Sequence, residues 1–337
     1  MQLVFPWLQF GLCVVAIGLA GPVLTRSGQA IARLTGMSAS WVGLIMLATA
    51  TSLPELFTGI SAVTVADAPN IAMGDALGSC IFNLVMVAVL DTLSRDTPVW
   101  RRIDQGHILT ASFGIILISF VGVLVLIARS DLNFRIAHVS VYSPLLVVLY
   151  VVAMRAAFFY ERRPERVTSV LDDDEKEGSS LKRALVRYIL SAAVIGGAGA
   201  WLPFVGLEIA QVMGWKTSFV GTLLVAGATS LPELIITLSA LRMGSADMAI
   251  GNLLGSNLFA ILVIALDDIA YTQGSFFAVV SPTHAVTAFA ASIMAGLCIV
   301  GLLYRPGNRF FGLFGWISLL LLAVYLLSSY VIYLYGH

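Results

Sequence analysis

Ala50-Thr51-Ser52-Leu53-Pro54-Glu55-Leu56 returns unchanged as Ala228-Thr229-Ser230-Leu231-Pro232-Glu233-Leu234, 178 residues further along the chain. A second block, Gly74-Asp75-Ala76-Leu77-Gly78-Ser79-Cys80-Ile81-Phe82, recurs as Gly251-Asn252-Leu253-Leu254-Gly255-Ser256-Asn257-Leu258-Phe259, with an offset of 177. Seven identical residues in a row mark an internal repeat, and a repeat defines architecture before any other feature does. Both copies lie in apolar surroundings. Of the 337 residues, 59% are hydrophobic and 11% charged, against about 25% charged in an ordinary soluble domain. Apolar runs of about 20 residues, long enough to cross a bilayer, recur throughout.

Ten spans can be drawn, at 4–25, 38–66, 70–92, 107–128, 138–160, 184–204, 207–242, 247–271, 282–303 and 311–335. The second and seventh are long and contain the motif prolines, so both are expected to be broken helices. Residues 3–24 read as the first membrane helix, because no lysine or arginine precedes them as a secretory signal requires. With the N-terminus outside, 16 of the 19 lysines and arginines fall in cytoplasmic loops, leaving only Arg129, Arg135 and Lys216 outside; basic residues favour that side. Both termini are then external, in a cell (inner) membrane. Five spans separate equivalent points of the repeat, and an odd number inverts the second copy. The expectation is an all-α polytopic membrane protein of about ten transmembrane helices in two inverted five-helix repeats. Residues 1–160 form the first repeat, 161–183 a cytoplasmic linker and 184–337 the second. The linker's acidic run, Asp172 to Glu175, lacks the alternating spacing and turn glycine of a calcium loop and reads as solvated chain.

Other classes are excluded on simple grounds. The formal net charge is zero, so nothing points to nucleic acid. Three cysteines, Cys13, Cys80 and Cys298, are too few and too scattered for a disulfide framework or a zinc site, and read as packing residues. The histidines at 107, 138, 284 and 337 stand near span ends and read as surface residues. No His-Glu-x-x-His motif or nucleophile–base pair suggests an enzyme. No cofactor and no obligate protein partner is expected; the partners are the lipid bilayer and transported ions.

The repeated motif carries the chemistry. Pro54 and Pro232 have no amide hydrogen, so the carbonyls of Ala50 and Ala228 lose their helical donors. Exposed carbonyls at membrane depth are tolerated where they line a polar cavity. Glu55 and Glu233 follow the prolines, and a buried acid in a membrane span marks function. Ser52 and Ser230 lie three residues earlier, on the expected face of each glutamate. In the following span Ser79 and Asn83 share a face, and Ser256 repeats Ser79. Gly74/Gly78 and Gly251/Gly255 fit close helix packing. All the candidate ligands are oxygens, which suits calcium, magnesium or sodium rather than zinc or copper. Two bidentate glutamates and two carbonyls supply six oxygens, the lower end of calcium's range.

These motifs resemble those of the sodium/calcium exchanger superfamily, prokaryotic type with two alpha-repeats, closely over residues 48–91 and 226–268. The resemblance implies that Glu55 and Glu233, with the carbonyls of Thr51 and Thr229, hold a central calcium. It implies that the hydroxyls of Ser52, Ser79, Ser230 and Ser256, with the carbonyls of Ala48 and Ala226, complete flanking sodium sites, and that Asn83 lines a further position. Spans one and six would slide across the core for alternating access. Three departures stand out: Ala50 and Ala228 replace a glycine, Cys80 replaces an asparagine, and Ala260 occupies the second-half counterpart of Asn83, where exchangers often carry an acid. The expected activity is sodium/calcium antiport. The alternative that Ala260 raises is calcium/proton, or other divalent cation/proton, antiport. A passive cation channel fits inverted broken helices less well.

Overall fold

The computed structural model describes residues 4–35, 48–94, 97–160, 180–242, 244–307, 309–310 and 314–336. Helices dominate: α1 Val4–Thr35, α2 Ala48–Thr51, α3 Leu53–Thr64, α4 Pro69–Leu93, α5 His107–Ile127, α6 Tyr142–Tyr160, α7 Leu181–Met213, α8 Thr217–Val220, α9 Ala226–Thr229, α10 Leu231–Arg242, α11 Ala246–Ala270, α12 Phe276–Val279, α13 His284–Tyr304 and α14 Trp316–Tyr335. A π-turn, Gly221–Val225, joins α8 to α9. Two short hairpins, β1 Arg135–Ile136 with β2 Val139–Ser140 and β3 Arg309–Phe310 with β4 Phe314–Gly315, precede α6 and α14.

Among the described residues seven helices are long and apolar enough to cross a membrane: α1, α4, α5, α7, α11, α13 and α14. Thr217–Thr229 and Leu231–Arg242, bent by 46°, form an eighth when taken as one broken span, and α6 is a shorter apolar helix. The chain is therefore a multi-pass membrane protein. α4 and α11 occupy the centre, with most of their residues buried, whereas α1 and α14 turn leucines such as Leu8, Leu12, Leu326 and Leu327 outward. The three cysteines are free and buried, as packing residues should be.

Two boundaries differ from the sequence drawing. α1 continues ten residues past 25 to Thr35; a helix ends where its backbone bonding stops, not where its apolar run stops. The expected break at 204–207 is absent, and one 33-residue helix runs from Leu181, capped by Ser180, to Gly214, whose φ of 66° ends it in the left-handed region. Pro203 sits inside that helix and leaves the carbonyl of Gly199 without its donor. Thr58 of α3 supplies one, its hydroxyl donating to Gly199 O at 3.0 Å, and Ser61 donates to Ala200 O at 2.6 Å. A proline is tolerated in a membrane helix when a neighbour satisfies the freed backbone. Thr58→Val should destabilise the protein by about 1–3 kcal/mol, the cost of an unpaired buried acceptor, read as a lower melting midpoint in detergent. Ser112→Ala, which removes only a bond to Ile108 O within its own helix, should leave the midpoint unchanged.

The long helices α1 and α7 pack against each other and press onto the motif of the opposite half. A Cβ on Gly21 of α1 would lie 2.8 Å from Pro232, and one on Gly199 of α7 would lie 3.0 Å from the carbonyl of Pro54. Gly74 and Gly78 bear out the close packing expected of the first glycine pair. They meet Gly221, Thr222 and Ala226 at the π-turn. By the repeat, the second pair would face residues 44–48, most of which lie outside the described residues. So do the linker's acidic run and His337.

Candidate cation site

Each motif is a helix restart rather than a kinked rod. α2 ends at Thr51 and α3 begins at Leu53, with Ser52 between them at φ −92°, ψ 10°. In the second half α9 ends at Thr229, α10 begins at Leu231, and Ser230 sits at φ −80°, ψ 7°. The same residue therefore breaks both spans with the same backbone. Pro54 and Pro232 fall in the first turn of the new helix, where a missing amide costs nothing. Leu56 N still bonds Ser52 O, and Leu234 N bonds Ser230 O, both at 3.2 Å. Glu55 and Glu233 stand in that first turn, where the free N–H groups of a helix start favour negative charge.

The break redirects the serines. Ser52 was expected to share a face with Glu55; its hydroxyl instead donates across the halves to Glu233 Oε1 at 3.4 Å. Ser256 donates to the same oxygen at 3.4 Å, and the Thr51 hydroxyl lies within hydrogen-bonding reach of that carboxyl. Around Glu55 the pattern repeats with the halves exchanged: Thr229, Ser230 and Ser79 surround it, and Ser230 donates to Ser79 at 3.1 Å. Each glutamate is thus bracketed by the Thr-Ser of the opposite half and the serine of its own following span. The i, i+3 rule holds along one continuous helix, so it fails where Ser52 ends one helix and Glu55 belongs to the next.

All these side chains are buried: Glu55, Glu233, Thr51, Thr229, Ser52, Ser230, Ser79, Ser256 and Asn83, with Ala226 beside them. Ala48 is the first residue of α2. One oxygen of each glutamate, Oε2, has no hydrogen-bond partner. The two carboxylates repel one another. No three His, Cys, Asp or Glu side chains among the described residues converge on one point. A cation held here would therefore rely on hydroxyl and carbonyl oxygens as well, a donor set that suits hard cations.

Asn83 donates to Asn257 Oδ1 at 2.9 Å, and Asn257 in turn donates to the Cys80 carbonyl at 3.4 Å, while the Cys80 thiol lies 3.8 Å from Asn257 O. Cys80 and its repeat counterpart thus meet at the crossing of α4 and α11, and Asn83 keeps Oδ1 unpartnered. Ala260, opposite in the repeat, is buried.

Several acids and histidines fall into place that sequence reading left aside or misjudged. Asp91 and Asp268, 177 residues apart, are structural anchors. Asp91 accepts from Ser318 at 2.7 Å, and Asp268 accepts from Ser143 at 2.5 Å and from Ser140 N at 2.8 Å. His107 and His284 are buried rather than at the surface, again 177 apart. His107 Nε2 lies 3.5 Å from Asp247, and His284 Nε2 lies 3.3 Å from Asn70. Their equal offset was the sequence signal for these latches. Asp75, which accepts from Thr229 at 2.8 Å, and Asp267 are both fully buried.

The family model for sodium/calcium exchanger protein matches residues 5–159 and 183–335. Among curated proteins, an uncharacterized membrane protein of Methanocaldococcus jannaschii is 27% identical over 301 residues, covering 89% of each chain. The sodium/calcium exchanger MaX1 of Methanosarcina acetivorans is 25% identical over 284 residues, covering 73% of this chain and 77% of its own. A structure of the sodium-calcium exchanger NCX_Mj shares the fold with a TM-score of 0.62 at 23% identity, covering 97% and 98% of the two chains. A buried, duplicated carboxylate–hydroxyl site in a helical membrane bundle defines an ion transporter rather than an enzyme. The chain belongs to the sodium/calcium exchanger family.

Proposed function

We propose that the protein is a secondary antiporter that moves calcium across the membrane in exchange for sodium by alternating access. The observation that carries this reading is the reciprocal bracketing of Glu55 and Glu233. Two carboxylates neutralise one divalent ion, and neither half alone supplies a complete set of oxygens. In this reading Glu55 and Glu233, with the carbonyls of Thr51 and Thr229, hold calcium. Ser52, Ser79, Ser230 and Ser256, with the carbonyls of Ala48 and Ala226, take sodium, and Asn83 Oδ1 lines the site beside them. Calcium and sodium are substrates here, not resident cofactors.

The layout proposed is two inverted five-helix repeats, 1–160 and 184–337, joined by a cytoplasmic linker, in the cell membrane with both termini external. The family model's division into two matched segments supports it, as does the equal backbone at Ser52 and Ser230. An inverted repeat places the ion site near the bilayer midplane. α1 and α7, each pressing a glycine onto the opposite motif, are the elements whose sliding would open one side and then the other.

Calcium/proton exchange is the second reading. It is favoured by Ala260, which leaves the position opposite Asn83 without a carboxyl. Purified protein in proteoliposomes separates the two. Calcium uptake should follow an outward sodium gradient and ignore a pH gradient alone. Uptake driven by the pH gradient with no sodium present would overturn sodium coupling. Ala260→Asp restores an acid and should lower the sodium concentration needed for half-maximal drive by about threefold to tenfold, since tenfold corresponds to about 1.4 kcal/mol; an unchanged value would place the coupling determinant elsewhere.

A further inference from the structure

The two halves differ at one group of three positions that the repeat brings into register. In the second half these are Thr237, Asn252 and, carried over from the first, Leu90; in the other set they are Gly59, Asp75 and Asp267. Thr237 and Asn252 seal their region with a neutral hydrogen bond of 3.3 Å between buried side chains. At the equivalent place glycine replaces threonine, aspartate replaces asparagine and aspartate replaces leucine.

Asp267 lies three helical turns beyond Ser256 on the same face of α11. It is fully buried, and neither of its carboxylate oxygens has a hydrogen-bond partner. It faces Gly59, one turn beyond Glu55 on α3: a Cβ there would stand 2.5 Å and 2.6 Å from the two oxygens. Asp75 lies close enough to feel the charge of both Glu55 and Asp267, and its Oδ2 is also unpartnered. The contacts Asn83–Asn257 and Cys80–Asn257, followed by the Asp75–Asp267 pair, descend one helix as they ascend the other, so α4 and α11 run antiparallel. Asp75 and Asp267 therefore share one end of the crossing. That end carries the α3–α4 turn, with Asp67 exposed at φ 47°.

An unpartnered buried carboxylate is costly unless a cation compensates it, and glycine at 59, where the other half has Thr237, makes room for the Asp267 carboxylate beside α3. We infer that Asp75 of α4 and Asp267 of α11 form a second hard-cation site beside Gly59 of α3, which takes sodium on its way between the turn at Asp67 and the glutamate pair. At the opposite end the equivalent positions, Thr237, Asn252 and Leu90, carry no carboxylate. The inference rests on the antiport reading and adds a one-sided station for the coupling ion, two turns from the acid missing at Ala260.

The test is displacement of radioactive calcium from the purified full-length protein by sodium. In Asp267→Asn the sodium concentration that displaces half of the calcium should rise about tenfold, with calcium affinity in sodium-free buffer within about twofold of the parent. Gly59→Ala, which intrudes on the carboxylate without removing it, should shift sodium displacement in the same direction. Sodium displacement unchanged in both variants would overturn the second site while leaving the exchange reading intact. Loss of calcium affinity without sodium would also overturn it, by making Asp267 part of the calcium site. Wild-type calcium that sodium does not displace would overturn the exchange reading and this inference together.

Discussion

Glu55→Gln and Glu233→Gln should each lower sodium-driven calcium uptake by about a hundredfold or more while the protein still purifies as a folded monodisperse species. Removing the carboxylate from a buried carboxylate–cation pair costs about 3–5 kcal/mol, and about 1.4 kcal/mol is tenfold in affinity. The carboxylate of Glu233 gathers Ser52, Ser256 and Thr51, and that of Glu55 gathers Ser79, Thr229 and Ser230. Glutamine keeps an acceptor for these hydroxyls, so the fold should survive. It removes the charge, and with it half of the neutralisation a divalent ion needs. Both substitutions should reach this size, because a Thr-Ser pair and a serine repeat around each glutamate. Initial uptake rates in proteoliposomes measure this; retained uptake in either variant would remove that glutamate from the site.

Gly78→Val should do the opposite, damaging the fold before the chemistry. A Cβ at Gly78 runs into the Thr222 carbonyl and lies 2.7 Å from the Ala226 side chain. Backbone on one side and a helix restart on the other leave little room to yield, so the cost should exceed the usual 1–3 kcal/mol or so of overpacking. The π-turn, which widens the helix at Gly221–Val225, is where α4 approaches. Folded yield and melting midpoint should both fall sharply, and transport with them. Gly114→Ala, which meets nothing within 4 Å among the described residues, is the matched control and should behave as the parent does.

The repeat made much of this legible in advance. Seven identical residues announced two equivalent halves, and the Ser-x-Pro-Glu spacing named both glutamates and the serines around them. What it did not disclose is which half serves which glutamate. Ser52 reaches Glu233 because its own backbone ends a helix, and the partner across the halves is set by how the two motifs meet in space, which spacing along one copy does not show. The role of the prolines was half visible: they free carbonyls, but as residues of a first turn they start a helix instead of bending one. Pro203 lies inside a continuous helix, and the donor that it denies the Gly199 carbonyl is supplied by Thr58, a residue 145 positions away. His107 and His284 looked like surface residues while considered one at a time; their common offset from the repeat was the information that they belong inside. Asp267 was not singled out because no residue of the first half predicts it. Its importance shows only once Leu90, Thr237 and Asn252 are placed opposite it.

Equilibrium binding of radioactive calcium to the purified wild type and to the two glutamine variants asks whether both halves build a single site. A single calcium per chain, lost in Glu55→Gln and equally in Glu233→Gln, is the predicted result. Two calcium ions per chain, each abolished by only one of the substitutions, would mean that each half holds its own ion and would contradict the account.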